Sequence, residues 1–206
     1  MSKLTIPARS SSFASALDSL IVTSGDEKVT NTEAALESVV NTLEHGRDRG
    51  ASVYVIGNGG SAAVAAHMAN DLLNVGKLRA LTLHDPSVLT CLANDYGYDN
   101  AYSRMVGTLA REGDLLIAIS SSGKSRNICN AVEAAKSAKA KVLTLSGFRE
   151  DNPLRRLGDV NMWISSQDYG MVEIAHLFIL HNLADRLAQR AQGRQAEKVM
   201  LAAPDA

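Results

Sequence analysis

The sequence has almost no net charge, few cysteines and no long apolar run. Its formal net charge is -1 over 206 residues, with an isoelectric point near 6.5. A chain with a net charge so close to zero has no excess of positive charge with which to attract nucleic acid or an anionic membrane. Any anionic ligand must therefore be held by groups at its own site. No run of about 18 apolar residues argues for a membrane span, and the first residues lack the apolar core and cleavage site of a signal peptide. We therefore expect a cytoplasmic protein that binds neither nucleic acid nor membrane.

The two cysteines, Cys91 and Cys129, are flanked by apolar residues and have no C-x-x-C spacing. Their number alone allows one disulfide, and it equally allows two free thiols. We favour two buried free thiols in a reducing compartment.

Five short, β-rich apolar runs recur along the chain, at 52–58, 78–84, 114–120, 141–147 and 160–166. Helical patterns separate most of them. This alternation predicts an α/β fold, a three-layer sandwich in which helices cover both faces of a parallel sheet. The linkers are short, so we expect one domain over 1–206, with N-terminal helices at about 8–50, an α/β core at about 52–166 and a C-terminal helix at about 169–192.

Long helical patterns flank this core. We interpret the first 22 residues as an amphipathic helix, and 31–50 as a helix with Asn31 or Thr30 as N-cap and Glu33 in its first turn. The C-terminal pattern is apolar on more than one face. Such a helix must be covered, either by another subunit or by the rest of the core, and we favour a homo-oligomer.

Two segments rich in glycine and serine each lie between a predicted strand and a predicted helix. The glycines of GNGGS, at 57–61, allow positive φ and close backbone approach. Ser61 then opens a helix whose N-terminal amides favour an anion, although a tight turn with a serine N-cap is the plain structural alternative. The second segment, SSSGKS at 120–125, offers four hydroxyls that suit phosphate oxygens without requiring several cations.

The carboxyl ends of parallel strands are where open α/β sheets bind ligands, and both segments follow strands. Neither segment is a nucleotide motif. No G-x-x-x-x-G-K-[ST] occurs, and Ala62 stands at the last glycine position of G-x-G-x-x-G. We therefore expect a phosphorylated small molecule as ligand and no nucleotide cofactor.

Five motifs follow one another in the chain: GNGGSA, the helix that carries His67 and Asp71, LANDYGYDNAYSR (92–104), REGDLLIAISSSGKSRN (111–127) and EIAHLFILHNLADRL (173–187). With these motifs the sequence resembles the SIS (sugar isomerase) family from about Asn31 to Leu187, and within it the phosphoheptose isomerases. The resemblance implies a five-stranded parallel sheet in flavodoxin-like order and a homotetramer with active sites between subunits.

The same resemblance implies an activity. It is an enediol-type isomerisation of sedoheptulose 7-phosphate to D-glycero-D-manno-heptose 7-phosphate, which feeds lipopolysaccharide, capsule or other heptose-containing glycans. The family also has non-catalytic members that bind a sugar phosphate or a protein partner of the replication-initiator type, and this is the alternative function. The presence of His181, at the position of the family's catalytic histidine, favours the enzyme.

The resemblance also implies roles for single residues. Asp71 and His181 take the catalytic positions, with Asp71 where the family has a glutamate and Glu173 where it has a glutamine. Substrate contacts are implied for Asn58, Gly59, Gly60, Ser61, Asp95, Ser120, Ser121, Ser122, Ser125 and Glu173.

Three interpretations stay open for the polar set of His67, Asp71, Glu173 and His181. Asp71 and His181 suit proton transfer between C1 and C2 of a sugar whose phosphate the serine segments hold. All four residues suit one Zn²⁺ per subunit, and the carboxylate of Glu173 strengthens this interpretation. The third interpretation is that the four residues take part only in ordinary packing and have no chemical role. A metal that took every ligand would also occupy the base, so the first two roles compete.

The remaining histidines and one lysine receive less specific interpretations. We expect His176 to be structural or interfacial, His45 and His84 to lie in solvent or at a strand end, and Lys124 to be either a phosphate contact or a solvated loop residue.

Overall fold

The computed structural model of the chain describes residues 4–25, 27–29 and 31–202, with the backbone alone for 194–202. Within these residues, seven strands form one sheet and seven α-helices pack around it. The strands are β1 (Ile21–Ser24), β2 (Glu27–Lys28), β3 (Ser52–Ile56), β4 (Arg79–Thr82), β5 (Leu115–Ser120), β6 (Lys141–Ser146) and β7 (Val160–Trp163). The helices are α1 (Ile6–Asp18), α2 (Thr32–Asp48), α3 (Gly60–Asn74), α4 (Pro86–Tyr96), α5 (Tyr98–Leu109), α6 (Arg126–Ser137) and α7 (Tyr169–Ala202), with a 3₁₀ turn at Pro153–Arg156.

The strands lie in the order β2-β1-β7-β6-β5-β3-β4. The five strands from β7 to β4 pair in parallel, whereas β1 and β2 form an antiparallel hairpin at the β7 edge. Counted along the chain, the parallel strands have the order 2-1-3-4-5, which is flavodoxin-like. The α/β class and the five predicted strands are confirmed, but the sheet contains two more strands than predicted.

Of the two additional strands, β1 begins in the segment that the sequence assigned to a helix. Helix α1 ends at Asp18, and β1 follows with the β-branched residues Ile21, Val22 and Thr23, which suit a pleated and half-buried surface. Gly25 then adopts a φ of +57°, which allows the tight turn toward β2. The helix prediction for the first 22 residues was therefore right over α1 and wrong at β1, and residues 1–3 lie outside the described residues.

Helices cover both faces of the sheet, as predicted. Residues from α1, α2, α3 and α7 form one hydrophobic core with one face, and residues from α5 and α6 form a second core with the other face. Alternate side chains of β5 divide between these cores: Ile117 points into the first, and Leu116 and Ala118 into the second. Since β5 is buried on both faces, its sequence is apolar from Leu115 to Ile119.

Helices α2 and α7 lie side by side and are joined by ion pairs. Asn31 caps α2 by accepting a hydrogen bond from the amide of Ala34 at 3.0 Å, while Thr30 lies outside the described residues. Arg186 and Arg190 of α7 pair with carboxylates of α2, among them Glu44, which is 2.7 Å from Arg190. These contacts join α7 to α2 at Arg186 and Arg190.

One stripe of α7 stays outside the core. Most of the described apolar residues of α7 are buried, but Ile174 and Phe178 are 53% and 52% exposed. The helix is therefore not fully internal, and a homo-oligomer stays a prediction.

The two cysteines are free, as expected. Cys91 is exposed, so its predicted burial was wrong, because α4 has no buried residue. Cys129 is half-buried, and burial raises the pKa of its thiol. Among the described helices, none has both the length and the apolar character needed to span a bilayer.

Candidate active site

A cleft of about 270 Å³ lies at the carboxyl ends of β3 and β5. These two strands are neighbours in the sheet, and the strand order reverses between them, because β4 lies on one side of β3 and β5 on the other. Ligands of open α/β sheets bind at such a reversal. The cleft is lined by Asn58, Gly59, Gly60, Ser61, Ile119, Ser120, Ser121, Ser122, Ser125, Tyr169 and Glu173.

Two helices begin at this cleft without a side-chain cap. The N-cap of α3 is Gly59, at a φ of +53°, and the N-cap of α6 is Ser125, whose hydroxyl makes no capping hydrogen bond. By contrast, α1, α2 and α4 are capped by Thr5, Asn31 and Asp85. The amides of Gly60 and Ser61 in α3, and of Arg126 and Asn127 in α6, have no hydrogen-bond partner among the described residues and are available to an anion. The structural alternative, a turn with Ser61 as N-cap, does not occur, because the N-cap is Gly59 and α3 begins one residue before Ser61.

Serine hydroxyls line the space between these helix ends. The Oγ atoms of Ser61 and Ser121 are 3.4 Å apart, and the hydroxyl of Ser120 donates to Ser125 Oγ at 3.1 Å. Ser61, Ser120 and Ser121 are buried. Hydroxyls both donate and accept, so they can turn toward phosphate oxygens at little cost. Lys124 is exposed and is not among the described residues that line the cleft.

The carboxylate of Glu173 lies directly against Gly60 at the start of α3. A Cβ at position 60 would lie 2.4 and 2.5 Å from the two Oε atoms, so the carboxylate would have to move if position 60 carried a side chain. Helix α7 thus begins beside α3, and Glu173 forms part of the cleft wall.

Farther along the same two helices, His67, Asp71 and His181 meet. The Nε2 atoms of His67 and His181 are 3.0 Å apart. The Oδ2 atom of Asp71 is 3.5 Å from His67 Nε2 and 3.2 Å from His181 Nδ1. The Asp71 side chain is only 18% exposed, whereas the two imidazoles are nearly half exposed. This triad therefore presents its ring nitrogens to a ligand while the carboxylate lies behind them.

The donor set of the triad fits a zinc ion. One ligand atom from each residue lies within 4.8 Å of the others. Two imidazole nitrogens and a carboxylate oxygen are ligands that Zn²⁺ takes in tetrahedral sites. Glu173 is the predicted ligand that does not join the group. It precedes His181 by eight residues, or about 12 Å along a helix, and its carboxylate is at Gly60 instead.

Asp95 is the predicted sugar contact that the structure leaves outside the cleft. It is exposed on α4, where its carboxylate accepts a hydrogen bond from Asn94 at 3.0 Å and lies 3.6 Å from Cys91 Sγ. Exposed His45 and half-buried His84 lie outside the triad.

His176 is structural, as predicted. It is fully buried on α7, and its Nε2 donates to the carbonyl oxygen of Ser146 at 3.1 Å. Burial lowers the pKa of His176 to about 4, against a smaller opposing effect of that hydrogen bond. Its ring is therefore neutral at physiological pH.

The structure adds three residues that sequence reasoning missed. Asn127 and Tyr98 both bond the side chain of Asn58, and Tyr169 lines the cleft. Tyr169 begins α7, and Asn127 lies two residues after the last cleft serine. Asn127 could have been suspected from its closeness in sequence to the second predicted anion segment. That closeness does not show which side chains contact the site.

Comparison with known proteins identifies first the domain that the chain carries and then the enzyme family to which it belongs. The model of the SIS domain matches residues 12–147, more than half of the chain, so the protein carries an SIS domain. A phosphoheptose isomerase from Campylobacter concisus is 37% identical over 168 residues, which are 78% of this chain and 86% of the relative. One from Aliarcobacter butzleri is 38% identical over 158 residues, 73% and 80% of the two chains. The chain belongs to the phosphoheptose isomerase family, which confirms the resemblance seen in its motifs.

Solved structures agree. A phosphoheptose isomerase from Neisseria gonorrhoeae has a TM-score of 0.71 at 27% identity and covers 90% of this chain and 100% of that one. Another, from Francisella tularensis, has a TM-score of 0.74 at 25% identity and covers 89% and 95%.

Proposed function

We propose that this protein is an isomerase of phosphorylated sugars that converts sedoheptulose 7-phosphate to D-glycero-D-manno-heptose 7-phosphate. The observation that carries the proposal is the placement of an anion cleft and a His–Asp–His triad on the same two helices, α3 and α7. Family membership supports the enzyme over a binding-only module.

The cleft holds the phosphate of the substrate. Two uncapped helix N-termini and the cleft serines supply donors without a cation, which suits a protein of net charge -1. His67 follows Ser61 by six residues, about 9 Å along α3. An extended sugar chain anchored by its terminal phosphate therefore points its carbonyl end toward the triad. This length favours a long-chain ketose phosphate.

Asp71 and His181 carry out the proton transfer. A ketose–aldose isomerase removes a proton from C1, returns one to C2 and moves a proton between the two oxygens. The Asp71 carboxylate takes the carbon-bound proton, and the His181 ring exchanges a proton with the oxygens. Asp71 Oδ2 lies 3.2 Å from His181 Nδ1, so the two groups are adjacent.

In the metal-bound protein, His67, Asp71 and His181 would hold Zn²⁺ and leave a position open for substrate, and this state competes with proton transfer by Asp71 and His181. When bound, the metal supplies Lewis acidity toward the carbonyl oxygen. Glu173 stays on the substrate side, since its carboxylate lies in the cleft wall. The predicted contacts at Asn58, Gly59, Gly60 and the cleft serines keep their proposed roles.

The proposal includes a cytoplasmic homotetramer with sites between subunits. The exposed stripe of α7 at Ile174 and Phe178, and the absence of any buried residue on α4, support a further subunit that covers these helices. Asp95 on α4 would then face the site of a neighbouring copy.

The direct test is turnover. The purified protein is incubated with sedoheptulose 7-phosphate, with and without added Zn²⁺, and the aldose is detected by NMR. We expect heptose 7-phosphate to form. No turnover in either condition, with the protein folded by circular dichroism, would overturn the proposal.

A further inference from the structure

Asn58 and Asn127 form a reciprocal pair of side-chain hydrogen bonds. Asn58 Nδ2 donates to Asn127 Oδ1 at 2.9 Å, and Asn127 Nδ2 donates to Asn58 Oδ1 at 2.9 Å. Asn58 belongs to the glycine-rich segment that lines the cleft, whereas Asn127 lies in the first turn of α6 and is only 3% exposed. A buried amide thus holds an amide that faces the ligand.

The orientation of both amides is set by a backbone group that can only donate. The amide N–H of Ile128 donates to Asn127 Oδ1 at 3.0 Å, so this atom must be the oxygen. Asn127 Nδ2 then faces Asn58, which requires the Asn58 oxygen on that side. Tyr98 completes the arrangement by donating its hydroxyl proton to the same oxygen at 2.8 Å.

These bonds determine what Asn58 can offer to a ligand. Both lone pairs of its Oδ1 are used, one by Asn127 and one by Tyr98. One Nδ2 proton bonds Asn127, and the other has no partner among the described residues. Asn58 therefore presents a single N–H donor to the cleft. A hydroxyl or carbonyl oxygen can accept that bond, whereas an ammonium group cannot.

We propose that Asn127 is a positioning residue of this site, which with Tyr98 locks the amide of Asn58 so that it donates to an oxygen of the bound sugar. Its kinetic test rests on the proposed function. A donor fixed in advance strengthens most where negative charge develops on a substrate oxygen, since no reorganisation is needed. Free rotation of the Asn58 amide would lose this advantage.

The test is a double-mutant cycle with Asn58→Ala, Asn127→Ala and the double variant, assayed on sedoheptulose 7-phosphate. We expect Asn58→Ala to lower kcat/KM about 100-fold. If Asn127 acts through Asn58, the double variant falls no further than Asn58→Ala, within about threefold. Losses that multiply would show that Asn127 acts independently and would overturn the proposal.

Three variants separate positioning from folding. Asn127→Asp keeps the size and the acceptor for Ile128 but cannot donate to Asn58, so it should lose activity like Asn127→Ala. Tyr98→Phe removes one bond and should lose about 3- to 10-fold. Asn130→Ala, also on α6, removes a bond to the carbonyl of Asp99 outside the cleft and should retain full activity.

A second readout needs no turnover, so failure of the proposed function leaves it intact. In ¹H–¹⁵N spectra of the ligand-free protein, one side-chain amide proton of Asn58 should exchange slowly with solvent. It should lose that protection in Asn127→Ala and keep it in Asn130→Ala. Fast exchange in the wild-type protein would overturn the positioning role, whatever the substrate is.

Discussion

The ring nitrogen Nε2 of His67 lies 3.0 Å from Nε2 of His181, across the interface between α3 and α7. Two imidazole nitrogens approach so closely when one donates a proton to the other or when both face one metal ion. The carboxylate of Asp71 lies within 3.5 Å of a nitrogen of each ring. The geometry of the triad is thus compatible with either a shared proton or a shared metal ion.

Metal binding should depend on the triad and not on other histidines. After incubation with Zn²⁺ and exhaustive dialysis, we expect about one ion per chain in the wild-type protein and a loss of at least about tenfold in affinity for His67→Ala. Mass spectrometry measures the number of metal ions per chain, and titration of the visible absorption of bound Co²⁺ measures the affinity. His45→Ala, an exposed histidine on α2, is the control, and equal metal content in all three proteins would contradict the zinc assignment.

Removing the charge of Asp71 should abolish most of the turnover without weakening binding of the substrate phosphate. Asp71→Asn keeps the size of the side chain but loses the base, so kcat should fall about 100- to 10,000-fold while KM changes little. Steady-state kinetics measure this split. Asp18→Asn, at the exposed end of α1, is the matched control. A kcat within about threefold of wild type would remove Asp71 from the proton transfer.

Removing a cleft hydroxyl should have the opposite kinetic signature. Ser121→Ala deletes a buried donor that lies 3.4 Å from Ser61 Oγ, so we expect KM to rise about 10- to 100-fold with a smaller change in kcat. Ser11→Ala, on the exposed surface of α1, is the control. Unchanged KM together with unchanged affinity for inorganic phosphate by calorimetry would show that the phosphate binds elsewhere.

Stability should fall as the pH is lowered from about 6.5 toward about 4, partly because of His176. Burial keeps this ring neutral in the folded protein until its pKa of about 4, whereas an unfolded histidine binds a proton near pH 6.5. The unfolded state therefore binds more protons in this window, and the stability lost through this residue approaches about 3 kcal/mol at the acid end.

Urea unfolding at several pH values between 4 and 7 measures that loss. His176→Gln can still donate to the Ser146 carbonyl but does not titrate, so its stability should depend less on pH than that of the wild type. His45→Gln should leave the wild-type slope unchanged, because His45 is exposed. An identical pH slope in His176→Gln and wild type would exclude His176 as the cause.

Most of the parallel sheet and the anion cleft followed from local sequence. Strands such as β5 are buried on both faces and so read as continuous apolar runs, and the loop glycines and serines stand next to them in the chain. The β1–β2 hairpin was missed because strand β1 is only four residues long and directly follows a helix. A short apolar patch there fits either structure.

The parts of the site that sequence did not determine depend on distance across packed helices. Glu173 and His181 lie on one helix, but their rise of about 12 Å separates the cleft from the triad, so type and order alone suggested a four-residue cluster. Asn127 needed a tertiary contact: its amide reaches Asn58 across 69 residues of chain. In both cases the outcome depends on how separate segments pack in three dimensions, which no single sequence motif specifies.

The uncapped starts of α3 and α6 should bind small anions other than the substrate. Amides left without a partner gain one from any small dianion, so inorganic phosphate or sulfate in a buffer should occupy the cleft. Such an ion would raise the melting temperature while competing with the substrate. A sample would then look most stable in the buffer in which its apparent affinity is poorest, and crystals grown from sulfate should contain the anion at these two helix ends.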